Sequence, residues 1–189
     1  VFRSYWEPNL GLDNSMDGLR AVFTPKPGIT LKGVIGRQRD FFTYPENVVR
    51  GVDGDIQIND AIPFLSGMKL RIGLGGSFVS KFQKDDKPSL ILPENVGAYA
   101  GRINLRYGKL AFDAEYAYKI NDPSQANLFT YNYGEALFAN LTYTQKGLGI
   151  RLSAKRVDNM DYRSDRGVTG TRLLINYLPA VNRQQTYRL

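Results

Sequence analysis

The chain of 189 residues has no cysteine, no histidine and a single tryptophan. Without cysteine it can hold no disulfide, thiolate zinc site or iron–sulfur cluster; without histidine it lacks the commonest metal ligand and the commonest catalytic base. Ser-His-Asp and Cys-His hydrolases are excluded unless a partner chain donates the imidazole. Long apolar runs are missing too: no stretch approaches the ~18 apolar residues of a membrane-spanning helix. Acidic residues are in deficit, 18 Asp+Glu against 25 Lys+Arg, for a formal net charge of +7. A basic balance raises nucleic acid or anionic lipid as partners. What the chain does have is 12 Tyr, 10 Phe and 19 Gly with only 42% hydrophobic residues. That composition belongs to strands and turns rather than to packed helices.

The dominant pattern is alternation with period two, the period of a strand with two different faces. In 68–82, Met68, Leu70, Ile72, Leu74, Phe78 and Phe82 share one face, while Lys69, Arg71, Gly73, Gly75, Ser77 and Lys81 share the other. The same holds for 110–119 and 148–155, and less cleanly for 18–24, 29–38, 49–58, 96–107, 135–145 and 171–178. Short turns are expected at Pro25-Lys26-Pro27-Gly28, Ala61-Ile62-Pro63, Gly108-Lys109, Lys146-Gly147 and Pro179-Ala180-Val181-Asn182. They alternate with long polar connections at about 40–48, 83–95, 121–134 and 157–170. All short turns then fall at one end of the strands and all long loops at the other. The spacing predicts an all-β, antiparallel up-and-down sheet.

Register offers an internal check. A two-residue hairpin at Gly108-Lys109 sets Asn104 opposite Asp113, Arg102 opposite Glu115, Leu105 opposite Phe112 and Ile103 opposite Ala114. Around Lys146-Gly147, Leu141 meets Leu152, Tyr143 meets Ile150 and Thr142 meets Arg151. For 49–58 against 67–75, the expected register sets Asp55 against Arg71 and Gln57 against Lys69. A slip of one residue would spoil each match.

A two-faced sheet can close around an apolar core in water, or turn its apolar face to lipid. Three features favour lipid. Strand segments run about ten residues, the length that crosses a bilayer at a tilt. Short turns on one rim and long loops on the other is the outer-membrane arrangement. Aromatic residues also stand at strand ends on the apolar face: Phe23, Tyr107, Tyr143 and Tyr177 before short turns, with Phe78, Phe82, Tyr116 and Tyr118 toward the opposite rim. These are the positions of interfacial girdles. The expectation is one transmembrane β-barrel segment over 1–189, of about ten to eleven strands. Phe2–Trp6 and Gln184–Leu189 read as parts of strands, so the chain is expected to be part of a larger barrel.

The segments NVGAYAGRINL (95–105), EYAYKINDPS (115–124), YTQKGLGIRLSAKRVDNMDYRSDR (143–166) and LLINYLPAVNRQQTY (173–187) resemble an uncharacterised outer-membrane β-barrel family of the Bacteroidota. RGVDGDIQIN (50–59) and GGSFVSKFQ (75–83) fit it as well, so the resemblance covers most of 12–189. It implies a transmembrane barrel in the bacterial outer membrane and no biochemical mechanism.

Candidate chemistry lies on the polar face. It carries Arg20, Lys32, Lys69, Arg71, Lys81, Arg102, Arg106, Lys119, Arg151, Lys155 and Arg172, against Asp53, Asp55, Asp113 and Glu115. Lining water, these residues would make a basic lumen that favours anions; pairing across strands, they would fill a narrow interior. The run VDGDIQIND (52–60) offers Asp53, Asp55, Asn59 and Asp60 as oxygen ligands but lacks the third loop acid and terminal glutamate of an EF-hand. A salt-bridged wall is the better expectation for it. GLGGS (73–77) lacks the Lys-Ser/Thr pair of a phosphate-binding loop, and its glycines relieve crowding or leave room for a ligand. Basic residues alternate with apolar ones instead of clustering, which argues against nucleic acid. No enzyme, metal or cofactor is expected. The expected function is a passive or weakly anion-preferring channel, the alternative a non-conducting barrel that binds other envelope proteins through its loops. The expected partners are outer-membrane lipid and such envelope proteins.

Overall fold

The computed structural model describes residues 2–4, 14–38, 47–83, 95–120, 133–158 and 184–188. Eight long strands dominate: β2 (Asn14–Lys26), β3 (Ile29–Gln38), β4 (Asn47–Gln57), β5 (Leu70–Gln83), β6 (Asn95–Tyr107), β7 (Leu110–Ile120), β8 (Tyr133–Gln145) and β9 (Leu148–Asp158). Short strands β1 (Phe2–Ser4) and β10 (Gln184–Arg188) flank them. Every neighbour in sequence is a neighbour in the sheet, and the described pairs are antiparallel, so the fold is a simple meander. Among the described residues no pairing joins β1 to β10. No helix among them is long and apolar enough to cross a membrane, which says nothing of strands. The expected strand at 171–178, the turn at 179–182, Arg172 and Tyr177 lie outside the described residues.

Three short turns form where glycine permits them. Gly28, Gly108 and Gly147 have φ of 77°, 55° and 79°, a region that costs other L-residues strain. The two-residue turns at 108–109 and 146–147 set the expected registers, Asn104 with Asp113 and Arg102 with Glu115 in one hairpin, Leu141 with Leu152 and Thr142 with Arg151 in the other. Proline on both sides of Lys26 goes with a register shift between Phe23 and Lys26 in the β2–β3 hairpin.

The fourth connection differs from expectation. Instead of a short turn at Ala61-Ile62-Pro63, residues 58–69 wind into one turn of helix, α1 (Ile58–Ala61), and a 3₁₀ turn at Pro63–Leu65. Asn59 holds this excursion together. Its buried amide donates to the carbonyls of Leu65 (3.1 Å) and Leu70 (2.9 Å), and its Oδ1 accepts from the Ile72 amide (2.8 Å). Asp55 therefore opposes Gly75, not Arg71, and Gln57 opposes Gly73, not Lys69. The displacement is an even number of residues, so the faces keep their identity although the partners change. Lys69 leaves the strand altogether and stands exposed in the connection. Replacing Asn59 with alanine strands three backbone groups, and the expected cost is about 2–3 kcal/mol, read by equilibrium chemical denaturation.

The burial of the two faces is inverted relative to a water-soluble sheet. Leu19 is 75% exposed and Phe23 62%, and Val52, Leu74, Leu137, Leu141, Ile150 and Leu152 are exposed beside them. On the other face Lys119 is 0% and Lys81 1% exposed, packed with small residues such as Ala98, Ala100, Ala117 and Ala136. Soluble proteins rarely bury lysine fully, and they do not display whole strand faces of large apolar side chains.

Candidate functional site

A connected polar network on the buried face spans β3 to β6. Lys32, Asp53, Ser77 and Ala100 follow one another across four strands, and the next rung carries Thr30, Asp55, Gly75 and Arg102. Asp53, 4% exposed, is the hub. Its Oδ2 receives Lys32 Nζ at 2.8 Å, and its Oδ1 receives Arg102 Nη2 at 2.5 Å and Ser77 Oγ at 2.7 Å. Arg102 Nη1 donates to Ser77 Oγ at 2.6 Å, and Nη2 also reaches Asp55 Oδ1 at 2.8 Å. Lys32 touches Asp55 more loosely, at 3.4 Å. Two carboxylates thus meet two cations and a hydroxyl, an arrangement that satisfies the desolvated Asp53.

Gly75 makes this geometry possible. The guanidinium of Arg102 on β6 crosses β5 to reach β4, over the place a side chain would fill. A Cβ at Gly75 would lie 2.4 Å from Asp55 Oδ1 and 2.7 Å from Arg102 Nε. Gly73 serves likewise under the Gln57 amide, 2.8 Å from where its Cβ would be. The GLGGS run therefore relieves crowding between wall side chains.

The remaining expected residues divide by environment. Glu115 and Lys119 are buried, Asp113 and Lys155 half-buried, and Arg20 and Arg151 exposed on the same face. Arg102 faces Glu115 in register, while its guanidinium bonds described above run the other way, to β4. Arg71 does not meet Asp55; it lies 3.7 Å from Asp60, with its side chain 64% exposed. Lys69 is off the wall, as noted. The calcium reading fails on its own residues: Asp53 and Asp55 are taken by Lys32 and Arg102, and Asn59 by backbone. Among the described residues no group of three or more His, Cys, Asp or Glu could hold a metal ion. Ser77 was given no role from sequence; a correct β4–β5 register would have placed it opposite Asp53.

The outward face carries two aromatic rows. Phe23 and Tyr107 are exposed near the short turns, with Tyr143 half-exposed beside Gln145, to which its hydroxyl donates at 2.5 Å. Toward the other ends stand Phe78, Phe82, Tyr99, Tyr116, Tyr118 and Tyr133. Tyr99 and Tyr118 are paired across strands with ring centroids 5.4 Å apart, Tyr118 stacks on Tyr133 at 6.2 Å, and Tyr116 donates to Glu135 at 2.9 Å. Tyr99 and Tyr133 were not singled out from sequence, although their places near the long-loop ends of β6 and β8 carry the signal.

Fold and site together define an antiparallel β-meander with an apolar exposed face and a buried, salt-bridged polar face. The chain belongs to the family of unknown function DUF6029, which it matches over residues 1–189. No curated protein and no solved structure gives a significant match.

Proposed function

We propose that this chain forms the wall of a bacterial outer-membrane β-barrel of the Bacteroidota type, and that the barrel is a passive, weakly anion-preferring channel. The observation that carries the membrane reading is the inverted burial, with Leu19 and Phe23 exposed and Lys81 and Lys119 enclosed. In lipid the exposed apolar face is solvated by acyl chains, and the polar face turns to the interior. The spacing of the aromatic rows suits a bilayer. Tyr99 and Tyr107 on β6 are about 26 Å apart along the strand at ~3.3 Å per residue, or roughly 20 Å in height at a 40° tilt. In this reading the sheet curls and closes, by these strands or with further ones, because an open edge in lipid leaves backbone groups unpaired.

The channel reading rests on the cations outside the Asp53 network. Arg20, Arg71, Arg106 and Arg151 are exposed on the interior face and give it a basic potential. The enclosed network on β3–β6 favours a second reading, in which the interior is packed shut and the barrel binds other envelope proteins through its loops. Its interactions are with lipid and with such proteins, not with nucleic acid, and no enzymatic step is assigned to it. Planar-bilayer conductance of the natively extracted full-length protein separates the two. The expected result is discrete steps with an anion-selective reversal potential, moved toward zero by Arg71→Glu. A correctly folded protein that gives no steps would leave the closed barrel.

A further inference from the structure

One rung of the interior face has a composition that sheet energetics disfavours. Arg71 on β5 stands directly opposite Arg106 on β6, and the same rung runs on through Ala111 and Thr142 to Arg151 on β9. Directly opposed residues have Cα atoms only about 4.5–5.5 Å apart, and like charges in that relation are destabilising. All three arginines are exposed. Among the described residues Arg106 and Arg151 form no ion pair, and Arg71 has only the long 3.7 Å contact with Asp60. The nearest acid on the neighbouring rung is Asp113, opposite Asn104. The rung sits at the short-turn end of the strands, where Lys109 and Lys146 are also exposed. The Asp53 network lies further inside, so its carboxylates are already committed to Lys32 and Arg102.

We infer that the directly opposed Arg71–Arg106 pair is a binding site for a divalent oxyanion such as phosphate or a phosphate ester at the short-turn mouth of the barrel. Two arginines directly opposed on adjacent strands bring two guanidinium groups, each a fork of N–H donors, within reach of one tetrahedral anion. The bound dianion removes the repulsion that the empty pair carries. Monovalent chloride has neither the charge nor the separated acceptors to bridge both. The inference rests on the proposed reading that this face lines water, but not on conduction.

The test is phosphate binding to the detergent-solubilised full-length protein, by calorimetry and by ³¹P line broadening at pH 8, with chloride as competitor. Wild type is expected to prefer phosphate over chloride. Arg106→Gln and Arg71→Gln should each weaken phosphate binding about tenfold, the loss of one charge-assisted contact. Both variants should fold at least as stably as wild type without phosphate, because each removes a like-charge neighbour; a purely structural role would lower stability instead. Arg50→Gln, on the outward face, should leave binding unchanged. Equal affinity for chloride, or Arg50→Gln weakening phosphate as much as Arg106→Gln, would overturn the inference in favour of diffuse charge. Phosphate binding without conductance would reject the channel and keep the site; conductance without phosphate preference would do the reverse.

Discussion

Asp53→Ala is expected to destabilise the folded protein by about 3 kcal/mol, the lower end of the range for removing one partner of a buried charge cluster. The hub carboxylate accepts from Lys32, Arg102 and Ser77, and its loss leaves two cations sharing Asp55 alone. The low end applies because the Lys32 side chain keeps 28% exposure and can draw on water, whereas that of Arg102 keeps 13%. The double variant Asp53→Ala/Arg102→Met should be less destabilised than the sum of its singles, since the guanidinium that would be orphaned is also gone. Denaturant titration of the refolded protein in one detergent measures both. A change within about 0.5 kcal/mol for the single variant, the size of an ordinary surface substitution, would show that the network contributes nothing.

The second large effect belongs to the outward face. Ile103 lies midway between Tyr99 and Tyr107 on β6, with Leu74 and Ala114 opposite it. Ile103→Arg is expected to cost about 2–4 kcal/mol in lipid vesicles, the depth-dependent penalty for a cation at the bilayer midplane, while Tyr107→Arg at the girdle should cost about 0–1 kcal/mol from charge. On a water-exposed sheet the mid-strand arginine would change stability by less than about 0.5 kcal/mol. The gradient between the two positions, followed by unfolding in vesicles, therefore reports depth in lipid rather than strand propensity.

The parts of this fold that were legible in sequence are those set by local chemistry. Gly108-Lys109 and Lys146-Gly147 close two-residue hairpins, and loop length then fixes every partner along the strands. The β4–β5 hairpin was not legible because its connection is stabilised at a distance: Asn59 finds its partners on Leu65, Leu70 and Ile72. Placing a tight turn at Ala61-Ile62-Pro63 set Arg71 opposite Asp55 and Lys69 opposite Gln57, pairings that the fold does not make. Face assignment survived that error, since alternation is insensitive to an even shift. Within the site, the residue types were readable but not their directions. Arg102 lies opposite Glu115 as expected, yet which neighbour a long side chain reaches depends on where space is left, and here Gly75 leaves it toward β4. The Arg71–Arg106 opposition could be read only once the β5 and β6 strands were aligned.

The inverted sheet is tested most directly by lipid accessibility along one strand. The chain contains no cysteine, so single cysteines can be placed in turn from residue 111 to residue 114 of β7, and at 116 and 117, and labelled with a fluorophore. In vesicles containing brominated lipid, quenching should alternate. Positions 112, 114 and 116 should be quenched, most strongly at 114, while 111, 113 and 117 should stay bright and shielded from lipid. Uniform quenching, or labels at 112, 114 and 116 that only a water-soluble quencher reaches, would contradict a lipid-facing apolar wall.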